Sequence, residues 1–264
     1  MGLWLLKLPV PVMGTIILGL VYLGTAIIYW AVMSLAKQER MLRAFKAISP
    51  GMLPPISVVF ALLVGFMAAQ VWSDSDKAHT AVDREAGALR DAVLISTAFP
   101  DSEHRFKALI RSYIQDAVTQ EWPAMARGNA TLTIAPPRLT EALRLTLSLS
   151  APSPGQVTAQ REMVVSLETA LEARRQRIIL SGSSINWVKW TVLLIQACLV
   201  LITIALVHSD NRTANRIILT IFATGVGAAV VLLAAHSRPF TGEIAVQPAV
   251  LLQVMPEASP PAAP

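Results

Sequence analysis

The densest concentration of chemically active groups in this chain is a set of guanidinium side chains, Arg174, Arg175 and Arg177, in the run Arg174-Arg175-Gln176-Arg177. Such a cluster reads in two ways. It can attract anions or acidic lipid headgroups, each basic residue near a membrane surface contributing on the order of 1 kcal/mol. It can also be an ordinary charged helix face, paired with Glu168 and Glu172. Arg238-Pro239-Phe240-Thr241-Gly242 is the second candidate, either a binding loop or a turn that ends the helix before it. His208 and His236 have no second histidine or carboxylate at ligand spacing, so no metal site is expected from them. Cys198 stands alone and can form neither an intramolecular disulfide nor a cysteine metal cage. The histidine pair of zinc proteases, the nucleophile elbow and the phosphate-binding glycine loop are all missing, so no catalytic residue and no cofactor are expected.

These groups are set among four long runs without an acidic or basic residue, between Lys7 and Lys37, Lys46 and Asp74, Lys189 and Asp210, and Arg216 and Arg238. About 20 uncharged residues cross a hydrocarbon core about 30 Å thick with every backbone amide satisfied inside the helix. The sequence therefore predicts spans over 12–35, 56–72, 187–207 and 217–236. Pro54 and Pro55 are expected to shorten the second of these. The first run is too long for a secretory signal, whose apolar region is about 7–15 residues, and carries Tyr22, Tyr29 and Trp30, so it is read as a retained span. Trp4, Trp72, Trp187 and Trp190 fall near span ends, where an amphipathic ring prefers the headgroup layer. With 54% hydrophobic and only 15% charged residues, the net charge of +5 is that of basic span flanks rather than of a nucleic-acid binder.

The hydrophilic block 73–186 is long enough for a small domain, and its periodicity is helical. Ala78, Val82, Ala86, Leu89 and Val93 share one face, which places Arg84, Glu85, Arg90 and Asp91 mostly elsewhere. Phe99-Pro100-Asp101 should end that helix, with Asp101 or Ser102 capping the next. Phe106, Leu109, Ile110, Tyr113 and Ala117 form its buried face, and it should stop near Trp122-Pro123 to pack as the antiparallel partner of the first. Leu139–Leu149 is ambiguous between strand alternation and helix; helix is favoured because an isolated strand would have no partner. Gln156 to about Leu180 reads as a long helix with Val164, Leu167, Leu171 and Ile178 on one face, ending at a hinge-like Ser181-Gly182-Ser183-Ser184. Residues 241–264 form a tail, its end rich in Pro and Ala and expected to be disordered from Pro256.

Glu85 in the first hydrophilic helix, Glu121-Trp122-Pro123-Ala124-Met125, Arg174-Arg175-Gln176-Arg177 and Arg238-Pro239-Phe240-Thr241-Gly242 also carry a resemblance. In this order, between and after paired spans, they resemble the bestrophin-like domain family of bacterial membrane proteins, from about residue 50 to residue 254. The resemblance implies a multi-pass protein of the bacterial inner membrane and a link to bestrophins, pentameric ion channels that mostly conduct anions. Thr241 intervenes in the family's Pro-Phe-Gly segment, and His236-Ser237 stands where an acidic residue commonly precedes it. The acidic calcium-binding cluster of animal bestrophins is absent, so calcium gating is not carried over.

A bestrophin-type pore is lined by the second span. Val59, Leu63, Phe66 and Gln70 share one face of that helix, and Phe60, Val64, Met67 and Val71 another. The first is the preferred lining, because Gln70 supplies a polar group near the mouth and an apolar ring can gate by dewetting. Either face can instead pack against helices or lipid. Apart from Lys189 at the start of the third, no formal charge lies inside any span, which disfavours a proton-coupled carrier or a voltage sensor. Orientation stays open: Lys37, Arg40, Arg43, Lys46, Arg212 and Arg216 place their connectors in the cytoplasm, whereas Arg174, Arg175, Arg177 and Lys189 argue the reverse. The sequence thus predicts an all-α membrane protein with four spans and a helical extramembrane domain between spans 2 and 3. Its expected partners are membrane lipid, further copies of itself and an inorganic ion, with no nucleic acid. The competing reading is a non-conducting scaffold or sensor whose helical domain binds another protein.

Overall fold

The computed structural model describes residues 8–133 and 135–257. Trp4, Lys7 and the tail beyond Glu257 lie outside the described residues. The described chain is helical, with no strand. In order it forms α1 (Val10–Leu35), α2 (Glu39–Lys46), α3 (Leu53–Ile95), α4 (Pro100–Asp116), α5 (Trp122–Ala126), α6 (Pro137–Leu147), α7 (Pro154–Ser181), α8 (Trp187–Val207), α9 (Arg212–Ala235) and α10 (Ala249–Gln253). It divides into two compact units. One holds residues up to Ser73, Ser184–Ser237 and Gly242–Ile244; the other holds Asp74–Ser183, Arg238–Thr241 and the chain from Ala245 on.

The first unit contains α1, α2, the start of α3, α8 and α9, and four helices of the chain are long and apolar enough to cross a membrane. Its interior is packed mainly by Met13, Ile17, Phe60, Met67, Leu193, Val200, Leu219 and Val230. Water cannot drive such helices together in lipid, so close van der Waals contact must. Gly227 of α9 shows how: a Cβ there would stand 2.5 Å from Leu18 Cδ2 of α1, so any larger residue requires that leucine side chain to shift. Most of the remaining apolar surface faces outward, including Leu20, Leu23, Ile27, Trp30, Leu194 and Ile221.

Caps account for the helix ends in this unit. Asn211 Oδ1 accepts from the N–H groups of Thr213 and Ala214 at 3.1 and 3.0 Å, starting α9. Asn215 Nδ2 donates to the carbonyls of Ala205 and His208, tying α9 back to the end of α8. Pro54 and Pro55 do not delay α3, which starts at Leu53 and carries both prolines in its first turn, where a missing N–H costs no helix bond. Nor does α3 stop at Trp72. It runs on to Ile95, its sequence changing from apolar to amphipathic without a helix breaker. Between α1 and α3, α2 is strongly amphipathic, with Arg40, Arg43 and Lys46 exposed and Phe45 packed on the apolar core.

The second unit has an amphipathic helix core of Ala78, Val82, Leu89, Phe106, Ile110, Tyr113, Met125, Leu139, Met163 and Leu167. Leu139–Leu149 is resolved in favour of helix, α6. Pro100 opens α4 as its first residue, so the cap position is Phe99 and neither Asp101 nor Ser102 caps; Asp101 and Glu103 instead sit in the first turn, favourable to its dipole. The helix does not stop at Trp122-Pro123 either. A π turn over Ala117–Glu121, with Trp122 N–H donating to the Ala117 carbonyl, carries it into α5. Ser153 Oγ accepts the Gln156 N–H to cap α7. The C-terminal segment is built into this unit: Leu251 is fully buried, and the Pro256 carbonyl accepts from Arg111 Nη1 at 2.7 Å.

Candidate functional site

The most polar feature of the structure is buried in the second unit. Arg177 of α7 is 0% exposed, and its guanidinium forms a fork with Glu85 of α3: Nε donates to Oε2 at 2.7 Å and Nη2 to Oε1 at 3.0 Å. Nη2 also donates to Glu121 Oε2 at 2.8 Å, and Nη1 approaches Met125 Sδ at 3.5 Å. The Arg177 plane lies over the Trp122 ring, with Cζ 4.4 Å from its centroid. Tyr113 Oη donates to Glu85 Oε1, and Arg174 donates through Nε and Nη2 to Glu121 Oε1 at 2.8 and 2.6 Å.

Two arginines and two glutamates make this network formally neutral, the condition under which buried charge is tolerated. Burial and the Glu85 charge raise the Tyr113 phenol well above its ordinary value, so it stays a donor. The Arg177 guanidinium is desolvated, which alone would lower its pKa, but the charges of Glu85 and Glu121, the neighbouring Tyr113 and the bond to Glu85 together outweigh that and raise it, so it stays charged. Local sequence explains the placement. The π turn adds a residue ahead of Pro123, which rotates α5 by about 100° relative to an unbroken helix and brings Glu121, Trp122 and Met125 toward α7.

The Arg238–Gly242 segment reaches the same place. The Phe240 ring stands edge-on to Trp122 at 6.0 Å, and Trp122 Nε1 donates to the Val246 carbonyl at 3.1 Å. Thr241 Oγ1 donates to the Ala126 carbonyl, and the Pro239 carbonyl accepts from Val246 N–H. Arg238 Nη1 lies 3.0 Å from where a Cβ on Gly128 would stand. Gly242 has φ +98°, a conformation that favours glycine and turns the chain. Four stretches far apart in the sequence thus meet around one guanidinium. The network has no free nucleophile and no unpaired base, and its chemistry is that of a clamp. A cavity of about 260 Å³ borders it at Glu121 and Arg174, lined further by Asn129, Thr131 and Arg138.

The arginine cluster divides into two buried members and one exposed member. Arg174 and Arg177 are buried, paired with Glu121 and Glu85 rather than with Glu168 or Glu172. Only Arg175 behaves as a surface residue, 62% exposed and 3.6 Å from Glu172. Glu85, expected away from the apolar face, is fully buried. In the sequence Tyr113 is visible only as part of an apolar stripe. A signal for the buried arginines exists there: Arg174 continues the stripe Leu167, Leu171, Ile178 at helical spacing, which aims it inward.

In the first unit, α3 presents two unlike faces. Phe60, Met67 and Val71 are buried in the bundle, with Phe60 6.0 Å from the Phe222 ring of α9. Val59, Phe66 and Gln70 are exposed, Phe66 at 72%, and Leu63 is half-buried. Gln70 Oε1 accepts from Lys189 Nζ of α8.

Four membrane-length helices, two before and two after a helical domain clamped by a buried ion network, define a multi-pass membrane protein. The chain belongs to the bestrophin-like family: the model of the bestrophin-like domain matches residues 19–251, reaching further toward the N-terminus than the motifs do. The fold is shared with two mutants of a bacterial bestrophin homolog from Klebsiella pneumoniae. One is 14% identical with a TM-score of 0.69, covering 92% of this chain and 97% of that one. The other is 11% identical with a TM-score of 0.67, covering 89% and 96%. A further crystal structure of a membrane protein matches at 13% identity and a TM-score of 0.67, over 92% and 96%. No curated protein matches the sequence.

Proposed function

We propose that this protein is an oligomeric ion channel of the bacterial inner membrane, its pore lined by Val59, Leu63, Phe66 and Gln70 from several copies. The observation that carries the reading is the surplus surface of α3. The apolar window of this helix is only 17% buried, against 39% for α9, and Phe66 is the most exposed of its apolar lining candidates. A ring of such side chains makes an apolar constriction that wets or dries as its width changes. Lys189, held at Gln70, adds a cationic group beside that face.

Ion flux into liposomes containing the purified protein tests this, comparing chloride with sodium and potassium. Selective flux that rises when Phe66→Ala widens the constriction supports the pore. No flux from vesicles shown to hold folded oligomer overturns it in favour of a scaffold or sensor that binds another protein through its helical domain.

A further inference from the structure

We propose that the groove between α1 and α9 is a binding site for an anionic phospholipid, held by its phosphate headgroup at Lys37, Arg212 and Arg216. The groove has a volume of about 450 Å³ and runs along α1 from Tyr22 to Lys37, within one unit. Fifteen residues of helix span about 22 Å. That exceeds one leaflet's share of a hydrocarbon core, about 15 Å of about 30 Å, by enough for a headgroup.

The two ends of the groove differ in chemistry. At one end Tyr22 Oη and Thr224 Oγ1 satisfy each other at 2.8 Å. Along its length the hydroxyls of Thr25, Ser34 and Thr220 bond back to carbonyls of their own helices, which leaves an apolar trough beside Trp30 and Met33. At the other end stand Lys37, Arg212 and Arg216, and no acidic residue lines the groove. Among the described residues none of the three makes an ion pair with an acidic residue, and the one side-chain bond among them runs from Arg216 Nε to the Arg212 carbonyl at 3.3 Å. An apolar trough leading to three uncompensated cations is complementary to an acyl chain ending in a phosphodiester. A second copy of this chain would bring its own apolar helices to the trough but would leave the cations without counter-charge.

The test uses the full-length protein in nanodiscs or detergent, with phosphatidylglycerol as the anionic probe and phosphatidylcholine as the zwitterionic control. Native mass spectrometry should show phosphatidylglycerol retained in preference to phosphatidylcholine. Its affinity should fall about 100-fold in the Lys37→Gln, Arg212→Gln, Arg216→Gln triple variant, at roughly 1 kcal/mol per basic residue near a charged membrane surface. The charge-keeping triple Lys37→Arg, Arg212→Lys, Arg216→Lys should retain the lipid, which separates loss of charge from loss of fold. A brominated phosphatidylglycerol should quench fluorescence in the parent and less in Trp30→Phe. Equal retention of the two lipids, or retention by a folded glutamine triple variant, overturns the proposal. So does a disulfide between copies through Ala26→Cys that forms as readily with phosphatidylglycerol present as without it.

Discussion

The two units of this protein place polarity in opposite positions. The helical domain takes charge into its centre, where Arg177 and Glu85 are both fully buried, and keeps a solvated exterior. The membrane-length helices keep formal charge out of their interior and leave Leu20, Ile27, Trp30 and Phe66 facing outward. The difference follows from the solvent. In water an apolar exterior would be costly, so that unit buries its apolar stripes, and a neutral, fully bonded ion network can lie among them. In lipid there is no hydrophobic drive between helices, and packing depends on shape, as at Gly227 and Leu18.

The comparison breaks most readily at Arg177. Arg177→Met leaves Glu85 buried without its cation and should destabilise the domain by about 3–5 kcal/mol. Arg175→Gln, on the exposed face of the same helix, should change stability by less than about 1 kcal/mol. Thermal melts of both variants in detergent give the contrast, and similar melting points would show that the network is not what holds the domain. In the other unit Gly227→Leu forces a side chain onto Leu18 and should cost about 1–3 kcal/mol. Limited proteolysis should then reveal loosening of α1 and α9 before any change in the helical domain.

A fourth variant concerns pH. The Tyr113 phenol has its folded pKa raised above the ordinary 10.0. The folded state therefore holds the proton more tightly than the unfolded one. The resulting stability is fully present below pH 10.0 and is lost as pH rises above it toward the folded value. Tyr113→Phe should remove that alkaline loss while costing about 1 kcal/mol at neutral pH through the missing bond to Glu85. Denaturant titrations at pH 8 to about 11 read both effects, and an unchanged alkaline slope would place its origin elsewhere. The smallest effect is expected at Lys189→Gln. Removing the cation beside Gln70 should move relative permeability toward cations by about two- to threefold, measured as a reversal-potential shift.

How much of this could be read in advance depends on the same division. Spans are legible because lipid imposes a local rule: a long run without charge must be helix, whatever it touches. The amphipathic helices of the domain are legible for a similar reason, through stripes such as Ala78, Val82, Ala86 and Leu89. The ion network is not local. Arg177 meets Glu85 across 92 residues, and no acidic residue stands three or four positions before or after it on its own helix. The continuation of α4 past Pro123 is hidden as well, because one inserted residue in a π turn rescues a helix that the proline rule ends. The resemblance marks Glu85, Glu121, Trp122, Arg177 and Phe240, but contact among them becomes visible only in three dimensions.

That long reach also bears on how the protein is made. At about 5–20 residues per second, Glu85 leaves the ribosome roughly 5–18 s before Arg177. Trp122 waits longer still for the Val246 carbonyl, 124 residues on. Both α8 and α9 lie between Arg177 and Val246, so the clamp closes only after the last pair of apolar helices has been synthesised. A nascent chain stalled before α9 therefore leaves Trp122 without the Phe240 ring and the Val246 carbonyl that complete its surroundings.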